Sequence, residues 1–253
     1  MKQGDKIRIT AVSYTNTIPF IFGLNYFPGM AGSTELTLLP PAMCAEAWIS
    51  GDADIALVPV GAMDDRDLDL MCCEWCIGAE NAVESVLLLS HEPVDQLSTI
   101  FLDTESRTSV LMTSILCKHH WHISPELKPL TVQHGYKTEP HTGMVLIGDK
   151  TFGLASEYPY VVDLASAWQQ MTGLPAVFAC WLTRERVPLA SRMMINEALA
   201  WGVAHIPDAV SALLNSQLND NEAIRYLTQC ISFRLGEQQK EAIHTFFALR
   251  NTL

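Results

Sequence analysis

"VSYTNTIPFIFGL", residues 12–24, leaves an apolar strand through Ser13, Tyr14, Thr15, Asn16 and Thr17, then turns apolar again at Ile18, Pro19 and Phe20. The preceding KIRITAV (6–12) has the composition of a β-strand. Proline is acceptable in the first turn of a helix, where its missing amide would lack a partner anyway. The stretch therefore reads as strand, turn, helix. Its polar cluster is either an ordinary turn or a surface that faces a ligand.

Outward from this unit the alternation repeats. TELTLLP (34–40) reads as a second strand, and PPAMCAEAWISGD (40–52) as a helix with Pro41 near its start and Gly51 just past its end. ADIALVPV (53–60) is apolar almost throughout, as a strand covered on both faces should be. A second set begins near residue 84, with strands at ESVLLLS (84–90), STIFLDT (98–104), GMVLIGD (143–149) and AVFACWLTR (176–184). Between them SRTSVLMTSILCKHH (106–120) has helical spacing of Val110, Leu111, Ile115 and Leu116. From Leu189 onward the pattern is helical, ending with Ala242, Ile243, Phe246, Phe247 and Leu249 largely along one side.

Strands and helices in alternation predict an α/β protein. Two α/β sets followed by helices predict two lobes. Residues 1–85 form the first, completed by a C-terminal helical portion, 186–253, and 86–185 form the second, with ESVLLLS and AVFACWLTR as the crossing segments. Ligands of such folds sit at the carboxyl ends of strands and between domains, which puts residues 13–16 at a cleft.

Composition narrows the occupant. The chain has 253 residues, 49% hydrophobic and 17% charged, with a formal net charge of −12. That balance argues against nucleic acid or an anionic membrane as partner, because both require clustered Lys and Arg. It leaves room for a small anion, which backbone amides at a helix N-terminus can hold. No apolar run has signal-peptide or membrane-spanning length, so a soluble cytoplasmic protein is expected. The seven cysteines are an odd number and suggest reduced thiols. Cys72, Cys73 and Cys76 include a C-x-x-C spacing but lack a second ligand pair, so small buried hydrophobes plus one exposed thiol is the plainer reading. His119, His120 and His122 stand close together, yet adjacent helical residues point in different directions. No metal site is expected.

Four polar stretches fall after strands or at helix starts: 13–16, Asn81 with Ser85, 106–109, and Gly148 with Asp149. In the third, Ser106, Thr108 and Ser109 open a helix. One hydroxyl there suffices to cap it, while several hydroxyls plus free amides can hold a carboxylate or phosphate. Gly148-Asp149 suits a plain turn, or places an acid for orienting a hydroxyl or moving a proton. No G-x-S-x-G, phosphate-loop or G-x-G-x-x-G pattern is present. The residues alone thus lead to a two-lobed protein gripping a small anion, as an enzyme or as a binding protein.

IRITAVSYTNTIPFIFGL (7–24), SVLLLSHEPVDQL (85–97), ESRTSVLMTSIL (105–116), LIGD (146–149) and YPYVVDLASAWQQMTGLPAVFACWL (158–182) occur in the order seen in chorismate dehydratases of the futalosine route to menaquinone, and the chain resembles that family. The tract with Asp163, Leu164, Trp168, Thr172, Gly173, Leu174, Pro175, Phe178, Ala179 and Trp181 is its most specific part. In the family's usual Tyr-Leu-Asn motif, Tyr14 and Asn16 match and Thr15 replaces leucine. The resemblance implies a type II periplasmic-binding-protein-like fold. It also implies conversion of chorismate to 3-[(1-carboxyvinyl)oxy]benzoate without metal or organic cofactor. On that basis Asn16 and Asp149 are the catalytic candidates. Ser13, Tyr14, Ser85, Ser106, Thr108, Ser109 and Gly148 are the candidates for holding the substrate. The proton is taken by Asp149 or by a carboxylate of the substrate itself; the second avoids placing a bare acid beside a dianion. Another small-anion lyase of the same fold and pathway, or a non-catalytic binding protein, are the alternatives.

Overall fold

The structure is a computed structural model that describes residues 6–30, 32–130 and 137–253, without the side chain of Cys72. In chain order its elements are β1 (Ile7–Val12), α1 (Ile18–Tyr26), β2 (Thr34–Leu39), α2 (Pro41–Ser50), β3 (Ile55–Pro59), β4 (Met71–Ala79), β5 (Val86–Ser90), β6 (Thr99–Leu102), α3 (Arg107–Leu116) and β7 (Glu126–Pro129). They continue with β8 (Thr142–Ile147), β9 (Tyr160–Asp163), α4 (Leu164–Thr172), β10 (Ala176–Thr183), α5 (Leu189–Ala204), α6 (Ile206–Leu213), α7 (Asp220–Arg225), β11 (Ser232–Arg234) and α8 (Glu237–Arg250).

Two mixed sheets carry the two lobes. The first has the order β11-β4-β10-β3-β1-β2 and the second β7-β6-β8-β5-β9. β1 pairs parallel with β2 and β3, while β10 runs antiparallel between β3 and β4. In the second sheet β8 is parallel to β6 and β5 is antiparallel to both β8 and β9. β1 and β8 therefore point their carboxyl ends toward the junction of the lobes, and the helices that follow start there.

The strands and helices read from the sequence form where expected, but the lobe boundary differs. β5 lies wholly in the second sheet and β10 wholly in the first, so neither strand crosses. The chain passes between lobes in the segments before each of them, near 80–85 and 173–175. All eight residues of β10 are buried, because the strand sits inside a sheet rather than bridging two. An apolar run shows that a strand is covered on both faces without showing by which sheet. β4 also forms inside EWCIGAENAVESV (74–86) and its upstream residues, a region read as an approach to the crossover.

Each lobe is closed by helices whose ends follow from local chemistry. α2 stops at Gly51, whose φ of 82° is a left-handed conformation costly to residues with a Cβ. α4 is capped by Asp163, whose carboxylate accepts the amides of Ala165 and Ser166 and, across the crossover, those of Val83 and Glu84. A turn start is thereby fastened to the hinge.

The five cysteines Cys44, Cys76, Cys117, Cys180 and Cys230 are buried, and Cys73 is half-buried. The Cys72 side chain, part of the same cluster, lies outside the described residues. His119 bonds Thr252 and His122 bonds the Lys118 carbonyl. Among the described residues no group of three or more His, Cys, Asp and Glu side chains is placed to hold a metal ion. No helix among them is long and apolar enough to cross a membrane.

One buried charge cluster fastens β1 to the loop before β3. Asp54, 3% exposed, accepts hydrogen bonds from the Arg8 amide at 2.9 Å and from the Arg186 guanidinium at 2.8 Å. Burial alone would raise its pKa, but the bonds from Arg8 and Arg186 outweigh it and hold the carboxyl down at about 2. A carboxyl depressed on folding stabilises above its unfolded pKa, near 3.9, and loses that contribution as the pH falls through its folded value. The loss, about 2 kcal/mol, is expected between roughly pH 4 and pH 2. Denaturant titrations across that range should show this acid limb, and Asp54→Asn should flatten it; an unchanged limb in the variant would place the acid sensitivity elsewhere.

Candidate functional site

The polar turn after β1 becomes a single 3-10 turn, Thr15–Thr17, running directly into α1. It faces a hollow between the two sheets, open to solvent, with a cavity volume of about 50 Å³. From the first lobe come Tyr14, Asn16 and Thr17, with Pro41, Pro59 and Phe178 forming apolar wall. From the crossover and the second lobe come Ser85, Ser106, Ser109 and Gly148, with Val86 and Ile147. Asn16 and Ser109, 93 positions apart in the chain, thus share one cavity.

Among the described residues, none lining this hollow has an ionisable acid or base apart from the Tyr14 phenol. Its polarity comes from hydroxyls, one amide and a helix start. α3 begins at the cavity wall, capped by Ser106, whose Oγ accepts the Ser109 amide at 3.1 Å and lies 2.9 Å from the Ser109 hydroxyl. First-turn amides of a helix have no acceptor inside it, and the helix dipole favours negative charge there. Such a helix start suits an anion held by dipoles rather than by a counter-ion.

The nearest ionised groups stand behind the wall and satisfy one another. Tyr14 donates its hydroxyl to Glu105 Oε2 at 2.7 Å, and Lys150 Nζ reaches Glu105 at 2.8 Å and Asp103 at 2.6 Å. Burial and then the bond to Glu105 push the Tyr14 phenol far above its ordinary pKa, so it stays protonated. Burial works to raise Glu105, but its bonds from Lys150 and Tyr14 hold its carboxyl below the usual range. The network joins β1's turn in one lobe to β6 and β8 in the other. Gly148 completes the fit: with a φ of +68°, it lies so close to Tyr14 that an added Cβ would sit 2.8 Å from the ring.

Six of the nine residues singled out from the sequence line the hollow: Tyr14, Asn16, Ser85, Ser106, Ser109 and Gly148. The other three stand elsewhere. Ser13 is exposed, where the chain leaves β1 for the turn. Thr108 is fully buried; its hydroxyl donates to the Phe178 carbonyl at 2.9 Å and accepts the Gly61 amide at 3.0 Å, tying α3 to the first lobe. Asp149 does not line the hollow and accepts the Thr15 amide at 3.0 and 3.2 Å, across the lobes. Burial raises its pKa against the opposing bonds from Thr15. Its carboxylate is engaged in holding the polar turn in place.

Phe178, part of the tract most specific to the family resemblance, lines the hollow as apolar wall. Tyr226, just behind the hollow, had no sequence signal: it follows α7, 141 positions beyond Ser85, yet its hydroxyl meets the Ser85 Oγ at 2.7 Å.

Two sheets joined by two crossings, with a hollow between them and a helix start at its wall, define an α/β protein of the two-lobed, periplasmic-binding-protein-like class. Solved structures agree on the fold. A protein of Archaeoglobus fulgidus superposes with a TM-score of 0.76 at 12% identity, covering 98% of this chain and 97% of that one. A Candida albicans gene product described as exhibiting the generic periplasmic binding protein fold superposes with a TM-score of 0.67 at 10% identity, covering 98% and 91%. Residues 7–251 match the family model described as menaquinone biosynthesis, and the chain belongs to that family. It is 26% identical over 220 residues to a chorismate dehydratase of Thermus thermophilus, covering 79% of this chain and 78% of that protein. The resemblance read from the sequence motifs is borne out and extends through the C-terminal helices.

Proposed function

We propose that the protein is a lyase that dehydrates chorismate to 3-[(1-carboxyvinyl)oxy]benzoate. The observation that carries this reading is the composition of the hollow: Asn16, Ser85, Ser106 and Ser109 converge from both lobes on a space lined by hydroxyls and an amide that can donate hydrogen bonds, with the start of α3 at its wall. Chorismate is a compact dianion with a ring hydroxyl beside a carbon that bears the enol ether. Removing the proton from that carbon and the hydroxyl from its neighbour releases one water and leaves an aromatic ring. The protein's tasks are to hold the dianion, fix its geometry and stabilise the departing hydroxyl.

Ser106, Ser109 and the first-turn amides of α3 hold one carboxylate, and Ser85 supplies a further donor. Asn16 presents its amide N–H protons, since its Oδ1 accepts from the Thr17 hydroxyl at 3.1 Å. They face the developing charge on the leaving oxygen. The proton goes to a carboxylate of the substrate, because Asp149 is committed to the Thr15 amide. The apolar wall of Pro59, Ile147 and Phe178 keeps the ring in place and strengthens each polar contact by excluding water. A biosynthetic enzyme of this kind belongs in the cytoplasm.

Incubating the purified protein with chorismate and following the mixture by ultraviolet absorbance and mass spectrometry tests the reading. The expected result is loss of chorismate with appearance of a species lighter by one water. Chorismate retained unchanged on the protein would make it a binding protein, and no binding at all would remove chorismate as its ligand.

A further inference from the structure

The Ser85 hydroxyl faces the cavity but makes its hydrogen bond behind it, to Tyr226 at 2.7 Å. Both residues are 1% exposed. Tyr226 sits in the turn of helix after α7 and packs edge-on against Phe152, with ring centroids 5.1 Å apart. It does not line the hollow. A buried phenol held this firmly against a site hydroxyl fixes which way that hydroxyl's proton points.

Distance alone leaves the direction of the bond open, and burial settles it. Among the described residues, the hydrogen-bond partner of the phenol is the Ser85 hydroxyl. A buried O–H left without an acceptor costs free energy, so the phenol proton goes to the Ser85 oxygen. The phenol is then the donor toward Ser85. Burial keeps the phenol protonated, which preserves that donor. Ser85 has a single proton of its own, and with its oxygen accepting from Tyr226 that proton is left for the cavity. The opposite arrangement would show an anionic substrate a lone pair.

We propose that Tyr226 is a positioning residue that orients the Ser85 hydroxyl as a donor to the anion in the cavity. This rests on the reading of the hollow as the chorismate site. The predicted signature is specific: Tyr226 acts on the substrate through Ser85, so its removal should matter only while Ser85 is present.

Four purified proteins test it: wild type, Ser85→Ala, Tyr226→Phe and the double variant. Tyr226→Phe is expected to raise KM for chorismate about tenfold, the worth of one charge-assisted bond, with kcat within about twofold. The double variant should match Ser85→Ala within about twofold rather than multiply the two losses. A KM unchanged by Tyr226→Phe, or losses that multiply, overturns the proposal while leaving dehydration intact. A purely structural phenol would lower the melting temperature and the active fraction without this coupling. Should Tyr226→Phe fail to fold, fluorotyrosine at position 226 keeps the ring and hydroxyl and alters only its donor strength; a KM indifferent to fluorination then overturns the proposal. Wild type that holds chorismate without converting it ends the dehydratase reading alone, and the same cycle is read in calorimetric Kd. Wild type that does not bind chorismate overturns both.

Discussion

If the protein dehydrates chorismate as proposed, replacing Asn16 with alanine is expected to lower turnover about 100-fold while leaving the fold intact, because the proposal puts the amide where charge develops and not where the helix is held. The local structure separates these two roles. The polar turn is anchored by the Thr15 amide on Asp149 and by the Thr17 amide on the Tyr14 carbonyl at 2.9 Å, neither of which involves the Asn16 side chain. Its hydrogen bond to the neighbouring Thr17 hydroxyl is local and replaceable by water. Removing one preorganised donor from a water-poor site commonly costs two to three orders of magnitude in kcat, roughly 3 kcal/mol of transition-state stabilisation. Steady-state kinetics and a thermal melt on the same preparation make the comparison. Turnover equal to wild type would take Asn16 out of the mechanism.

Gly202→Ala should produce the largest loss of stability, about 3 kcal/mol or more. α1 and α5 cross with backbone against backbone: a Cβ at position 202 would fall 1.9 Å from the Pro19 carbonyl oxygen and 2.9 Å from the Gly23 amide. From the other side, a Cβ at Gly23 would fall 1.9 Å from the Ala198 carbonyl oxygen. No rotamer change relieves such a clash, because the opposing atoms belong to a helix backbone. The helices must separate, opening the aromatic packing of Phe22 on Trp201, whose rings stack 5.1 Å apart. α1 also carries the polar turn at its start, so activity should fall with stability. Urea unfolding measures the effect; a midpoint equal to wild type would mean that the helices part without cost.

These two expectations come from different depths of the sequence. Asn16 was legible as a residue facing the hollow because a hydrophilic run interrupted an otherwise buried strand, and strand ends are where α/β proteins place ligands. Ser106 and Ser109 were legible for a similar reason, as hydroxyls at a helix start. Gly202 sits in the last turn of α5 and has no local cause; only the helix that crosses it explains why it lacks a side chain. Tyr226 gave no local signal either, since an apolar stripe on a C-terminal helix accommodates a tyrosine as ordinary core.

The same division runs through the residues whose roles shifted. Thr108 and Asp149 are polar side chains at the starts of turns, and chemistry alone makes them eligible for substrate. In the folded chain Thr108 spends its hydroxyl on Phe178 and Gly61, and Asp149 spends its carboxylate on Thr15. Both bind one lobe to the other. β10 teaches the matching lesson for topology: its eight buried residues show a fully covered strand, but its place between β3 and β4 follows from pairing with strands more than 90 positions earlier.

By itself the sequence determined the periodicity of its elements, their caps and stops, the two-lobed α/β class and the family, because these are written in neighbouring residues through backbone propensity and hydrophobic spacing. Tertiary structure alone decided which sheet receives β10, which hydroxyls reach the hollow and which are consumed in joining the lobes, and that Tyr226 stands behind Ser85. A hydrogen bond is made between atoms that meet in space, and residues 141 positions apart carry no trace in the chain that they will meet.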